Sequence, residues 1–146
     1  MTRQMMFVGL LVLSSIYGLT RGGRPEQIGA ATLVLGVLAS IAFSYPVALQ
    51  FQSVEAGMLA VDTTMLGMFL WLSFKSTRFW PAWVSGMLMA EVAVHVMRVA
   101  VPDVVPKAYM DAVAIWSWVA QIILIVATRR HQQRLHRLGA DRSWRN

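Results

Sequence analysis

Five ionisable residues stand inside otherwise apolar runs of this sequence: Asp62, Glu91, His95, Arg98 and Asp111. Three of them share the run PAWVSGMLMAEVAVHVMRVAV, Pro81 to Val101. At 100° per residue, Glu91, His95 and Arg98 fall within roughly 60° on one helix face. Carboxylate, imidazole and guanidinium groups gathered in this way suit ion pairing, proton transfer or the binding of a small polar ligand. A charge at the centre of a bilayer costs about 2.5 to 3.5 kcal/mol on insertion scales, so pairing is the expected remedy. Arg98 stays protonated and is expected to reach Asp62 or Asp111 through two parallel bonds. Glu91 and His95, one helical turn apart, are spaced for a direct bond. Ala82, Gly86, Ala90 and Ala93 lie on the opposite face, where small residues let another helix approach closely. Polar on one side and small on the other, this helix is expected in the middle of a bundle.

Other chemistries are poorly served. The sequence has no Cys, which removes disulfides, thiolate metal sites and cysteine nucleophiles. Ser14, Ser15, Ser85 and Ser117 have no base at catalytic spacing, and no catalytic motif is found, so no enzymatic activity is expected. Asp62, Glu91, His95 and Asp111 are all metal-ligating types. Glu91-x-x-x-His95, however, is not the Glu-x-x-His spacing of di-iron bundles. His131 and His136 fall in the C-terminal tail, far from His95. No metal, haem or other cofactor is expected.

The elements that carry these residues follow from hydropathy. With 57% hydrophobic and 14% charged residues in 146, the chain is far more apolar than a soluble domain of its size. The expected architecture is an all-α membrane protein, a bundle of five transmembrane helices over residues 5–20, 27–45, 56–74, 81–101 and 107–128, followed by a basic cytoplasmic tail, 129–146. Arg21 to Glu26 reads as a turn, with Pro25 in the first turn of the next helix. Gly29, Gly36 and Ser40 read as a close-packing face, and residues 46–55 as a segment at the membrane surface. Lys75 to Arg78 forms a basic turn bracketed by Trp71, Trp80 and Trp83, an aromatic-belt pattern. Trp116 and Trp118 lie deeper than a belt requires, and one of them, Trp118 in preference because it falls on the Asp111 face, is expected to cap the polar cluster with its indole N–H. The tail is expected to begin as a helical continuation up to Gly139.

Lys and Arg counts set the expected orientation. With five spans and a cytoplasmic tail, ten basic residues lie inside against Arg3 and Lys107 outside, so the N-terminus is expected outside and the C-terminus in the cytoplasm. Asp62, His95, Arg98 and Asp111 then share the outer half of the membrane, with Glu91 near its midplane. The net charge of +6 follows this topology, so no nucleic-acid partner is expected. Arg129, Arg130, Arg134 and Arg137 are expected to contact anionic lipid headgroups.

The stretch from Asp62 to Trp116 resembles a group of small multi-pass inner-membrane proteins of alphaproteobacteria for which no activity is known. The likeness rests on Asp62, Lys75-Ser-Thr-Arg78-Phe-Trp-Pro-Ala-Trp83, His95-x-x-Arg98, Pro102-Asp103, Pro106, Ala108-Tyr109 and Trp116-Ser117. It implies a bacterial inner membrane; Glu91 and Asp111 lie outside it. Two functions are in view. One is a non-enzymatic accessory or self-associating membrane subunit, a homo-oligomer or part of a complex, whose buried charges fix helix packing. The alternative is a small proton-coupled transporter or channel-like oligomer using Asp62, Glu91, His95 and Arg98.

Overall fold

A computed structural model describes residues 2–44, 51–100 and 106–145, with side chains placed over 2–43, 56–97 and 115–145. Five helices follow in order: α1 (Arg3–Arg21), α2 (Arg24–Ser44), α3 (Phe51–Lys75), α4 (Trp80–Ala100) and α5 (Pro106–Leu138). Each expected span lies within or nearly within one helix. One helix runs further than expected, since α3 starts at Phe51 and takes in part of the segment assigned to the surface, while α5 continues into the tail to Leu138, matching the expected helical continuation up to Gly139. Proline stands in the first turn of α2, α4 and α5, where its missing N–H has no helical partner to lose.

Three helices, Arg3–Arg21, Arg24–Phe43 and Ala56–Lys75, are long and apolar enough to cross a membrane by length and composition. The bundle is also reversed in polarity relative to a soluble domain. Leu13, Leu35 and Phe74 are 65–73% exposed, whereas Ser14, Ser85, Glu91, Gln121 and Thr128 are buried. Three buried hydroxyls are satisfied within their own helices: Ser14 donates to Leu11 O, Ser85 to Pro81 O and Thr128 to Leu124 O. Water would not leave so many large apolar side chains outside, and lipid does. The chain is an all-helical membrane protein.

The helices close into a ring, α1–α2–α3–α4–α5 and back to α1, and α2 also meets α5 across the middle. Leu11, Leu33, Phe69, Leu72, Val84, Leu88 and Leu124 form the apolar centre. The expected central place of α4 is corrected: it packs between α3 and α5, and its small-residue face looks outward. Gly86, Ala90 and Ala93 are exposed, and a Cβ on Gly86 would meet nothing within 4 Å. The polar face of α4 satisfies its needs inside the chain, so the small face is left for the perimeter.

The α1–α2 turn, the α3–α4 turn and the chain beyond α5 gather at one end of the bundle. Gln132 donates to Arg21 O there. Beyond Leu138 the tail does not run free. Gly139 has φ +69°, a left-handed conformation that ends α5 and turns the chain back, with its N–H on Leu135 O. Residues 141–145 then lie against the α3–α4 turn: Thr77 N–H donates to Ser143 O at 3.1 Å, Arg145 N–H to Lys75 O at 2.8 Å, and Thr77 Oγ1 to Arg142 O at 2.6 Å.

Candidate functional site

The polar face of α4 and its neighbours enclose a small cavity inside the bundle, about 110 Å³ in volume. All five helices line it. Asp62 comes from α3, Glu91 from α4, Ser117 and Gln121 from α5 and Ser40 from α2, while Phe7 and Leu11 of α1 close the apolar side. His95 stands one turn beyond Glu91 on α4, and its Nε2 is 3.1 Å from Asp62 Oδ2. Each side chain of this pair is 16% exposed, and Glu91 is 7% exposed. Gln121 is fully buried, and its Oε1 has no hydrogen-bond partner among the described residues.

Helix geometry explains this convergence. Asp62 lies thirteen residues before the end of α3 at Lys75, and His95 fifteen residues after the start of α4 at Trp80. At 1.5 Å per residue both sit about 20 Å from the α3–α4 turn, so antiparallel helices bring them level. A carboxylate and an imidazole in contact share one proton and need carry no net charge. Glu91 adds a second carboxyl group facing the same space. A cavity of this size, mainly apolar but with polar groups at Ser40, Asp62, Glu91, Ser117 and Gln121, has room for several waters. The arrangement can hold a proton and pass it between Asp62, His95 and Glu91.

Of the five intramembrane residues predicted, Asp62, Glu91 and His95 come together here. Arg98 and Asp111 lie outside the residues whose side chains are described. Of the two tryptophans considered as a cap, the preference for Trp118 is corrected: Trp116 lines the cavity, while Trp118 packs edge-on against Phe7 with ring centroids 5.6 Å apart. The two stand two positions apart, and on a helix that is about 200° of rotation, enough to exchange a cavity wall for a helix contact. Among the described residues no group of three His, Asp or Glu side chains is placed to hold a metal ion.

A second ionic cluster closes the other end of the bundle, and sequence reasoning missed it. Arg78, in the α3–α4 turn, donates through Nη1 to Asp141 Oδ1 at 2.8 Å and through Nη2 to Asp141 Oδ2 at 2.6 Å. His131 Nδ1 lies 2.6 Å from Asp141 Oδ2, and Arg134 Nε donates to both oxygens at 3.1 Å. An ionised carboxylate only accepts, so the short His131 contact requires the proton on Nδ1. On the far side, Arg78 Nε stands 3.5 Å from Glu26 Oε1, which accepts from Trp80 Nε1 at 3.1 Å. Glu26 is fully buried in the first turn of α2, where the helix dipole favours an acid.

This cluster revises two sequence assignments. Trp80 is not part of an aromatic belt; it turns inward, packing on Phe69 and bonding Glu26. Trp71 and Trp83 are outward, as a belt requires. Arg134, expected at lipid headgroups, is instead held by Asp141, the lone acid of the tail, which anchors it. Burial alone would raise the Asp141 pKa, but hydrogen bonds from Arg78, His131 and Arg134 bring it down to about 2. Of the four arginines expected at lipid headgroups, Arg134 is tied to Asp141, whereas Arg129, Arg130 and Arg137 are exposed. Asp141 and Glu26, each an isolated acid among basic neighbours, were the available sequence signals.

The chain matches no protein-family model, no curated protein and no solved structure.

Proposed function

We propose that all five helices cross a bacterial inner membrane, with the N-terminus outside and the Arg78–Asp141 end in the cytoplasm, and that the protein is a non-enzymatic accessory or self-associating membrane subunit. The observation that carries this reading is the division of labour around α4. Its polar face is consumed inside the chain by Asp62 and the cavity, and its small face, Gly86, Ala90 and Ala93, is exposed on the perimeter of the bundle. Small residues on an exposed transmembrane face let a partner helix approach to backbone distance. The basic end, with ten Lys and Arg in the positions that five spans would make cytoplasmic, supports the orientation. The resemblance to alphaproteobacterial membrane proteins supports the compartment. Native mass spectrometry of the gently solubilised protein tests the reading: a dimer or larger complex that Gly86→Trp dissociates is expected, and a wild-type monomer would overturn it.

The Asp62–His95–Glu91 cavity favours a second reading, a proton-coupled transporter or channel-like oligomer. Three titratable side chains at one level, with an acceptor of Gln121 unused beside them, are the components of a proton relay. Proton flux into proteoliposomes distinguishes the two: this second reading requires flux that Glu91→Gln abolishes, and the first requires none.

A further inference from the structure

We infer that the groove between α4 and α5 at the basic end binds one anionic phospholipid, with its phosphate at Arg130 and Arg142 and an acyl chain laid along the apolar wall below. The groove is about 680 Å³, in the range of small-molecule sites. Phe79 and Trp83 on the α4 side and Ile122 and Val126 on α5 form its wall, and all four are more than 40% exposed. Arg130, Arg134 and Arg142 form its rim with Arg78 beneath them. From Arg130 down to Ile122 the wall runs eight residues of α5, about 12 Å, a depth suited to an acyl chain.

Charge complementarity names the occupant. Asp141 is the one acidic residue on the lining, and it is already bound by Arg78, His131 and Arg134. Arg130 and Arg142 have no ion-pair partner among the described residues, and both are exposed. Arg142 is held at the rim because its carbonyl accepts from Thr77 Oγ1. Two unneutralised guanidinium groups select a phosphate-bearing anion. The apolar wall directly beneath them selects a lipid over a free phosphate, and Phe79 and Trp83 stand where aromatic side chains mark the membrane interface. The inference rests on the reading that α4 and α5 lie in the bilayer.

The test is native mass spectrometry of the full chain in mild detergent, titrated with phosphatidylglycerol, phosphatidylcholine or inorganic phosphate. One phosphatidylglycerol per chain should be retained in preference to phosphatidylcholine, with no competition from inorganic phosphate. Arg130→Ala and Arg142→Ala should each weaken retention about fivefold, the equivalent of about 1 kcal/mol. Val126→Trp should fill the wall and displace the lipid with the charge unchanged, while Arg137→Ala, off the groove, should leave retention intact. Equal retention of both lipids, displacement by inorganic phosphate, or a loss in Arg137→Ala as large as in Arg130→Ala would overturn the site. Recovery of the chain from cells without detergent would instead overturn the membrane reading beneath it.

Discussion

Arg78 and Asp141, 63 residues apart in sequence, meet through two parallel hydrogen bonds of 2.8 and 2.6 Å, with side chains only 6% and 7% exposed. This pair joins the α3–α4 turn to the chain beyond α5. Through Glu26 and Trp80 it reaches the start of α2, so one guanidinium group ties together three connections that the sequence leaves far apart. Every member of the pair has several partners, which is what allows buried charges to hold a structure instead of straining it.

Removing the Asp141 carboxylate leaves Arg78, His131 and Arg134 facing one another. Asp141→Ala is therefore expected to destabilise the protein by about 3 to 5 kcal/mol, the usual cost of leaving a buried charge without its partner. Thermal unfolding in detergent measures the loss, and a variant melting with the wild type would show that the pair contributes nothing.

Acid should release the same contact only at very low pH. Asp141 has a folded pKa of about 2 against an ordinary value of 3.8, so its contribution is full above pH 3.8 and is lost as pH falls through about 2. The shift corresponds to about 2 kcal/mol. Hydrogen exchange at the Thr77 and Arg145 amides, which bond Ser143 O and Lys75 O, should stay protected at pH 4 and lose protection near pH 2. Loss of protection between pH 4 and 5 would contradict this.

Gly29 is required by the Trp80 ring. A Cβ there would lie 2.4 Å from Trp80 Cη2, so Gly29→Ala should displace the indole, break its bond to Glu26 and cost about 1 to 3 kcal/mol. Gly67→Ala on α3, where a Cβ meets nothing within 4 Å, should be neutral or slightly stabilising. Equal melting of the two variants would remove the assigned role of Gly29.

Gly139 aims the tail. Its φ of +69° suits glycine, so Gly139→Ala should cost about 1 kcal/mol and loosen the Arg142–Thr77 contact, while Gly139→Asn should retain more of it. Exchange at the Thr77 amide reads the difference; identical protection in both variants would refute it.

The helices were legible in the sequence because hydropathy over some twenty residues is a strong signal and proline marked the starts of α2, α4 and α5. The level of Asp62 with His95 followed from counting residues along antiparallel helices. What hydropathy could not show was which face of α4 turns inward: polar and small faces each suggest a neighbour, and only the positions of α3 and α5 decide. The Glu26–Arg78–Asp141 cluster was hidden for a related reason. Its members sit in turns and tail, where charge is read as topology, and no local spacing connects residues 26, 78 and 141.

The central claim is that five helices cross the membrane, leaving the Arg78–Asp141 end in the cytoplasm and the start of α1 outside. Because the sequence has no native Cys, single cysteines report this cleanly. In intact cells an impermeant maleimide should label Gln4→Cys and should label Arg137→Cys only after permeabilisation. Labelling of both positions in intact cells, or of neither until the membrane is opened, would place the two ends on one side and contradict the account.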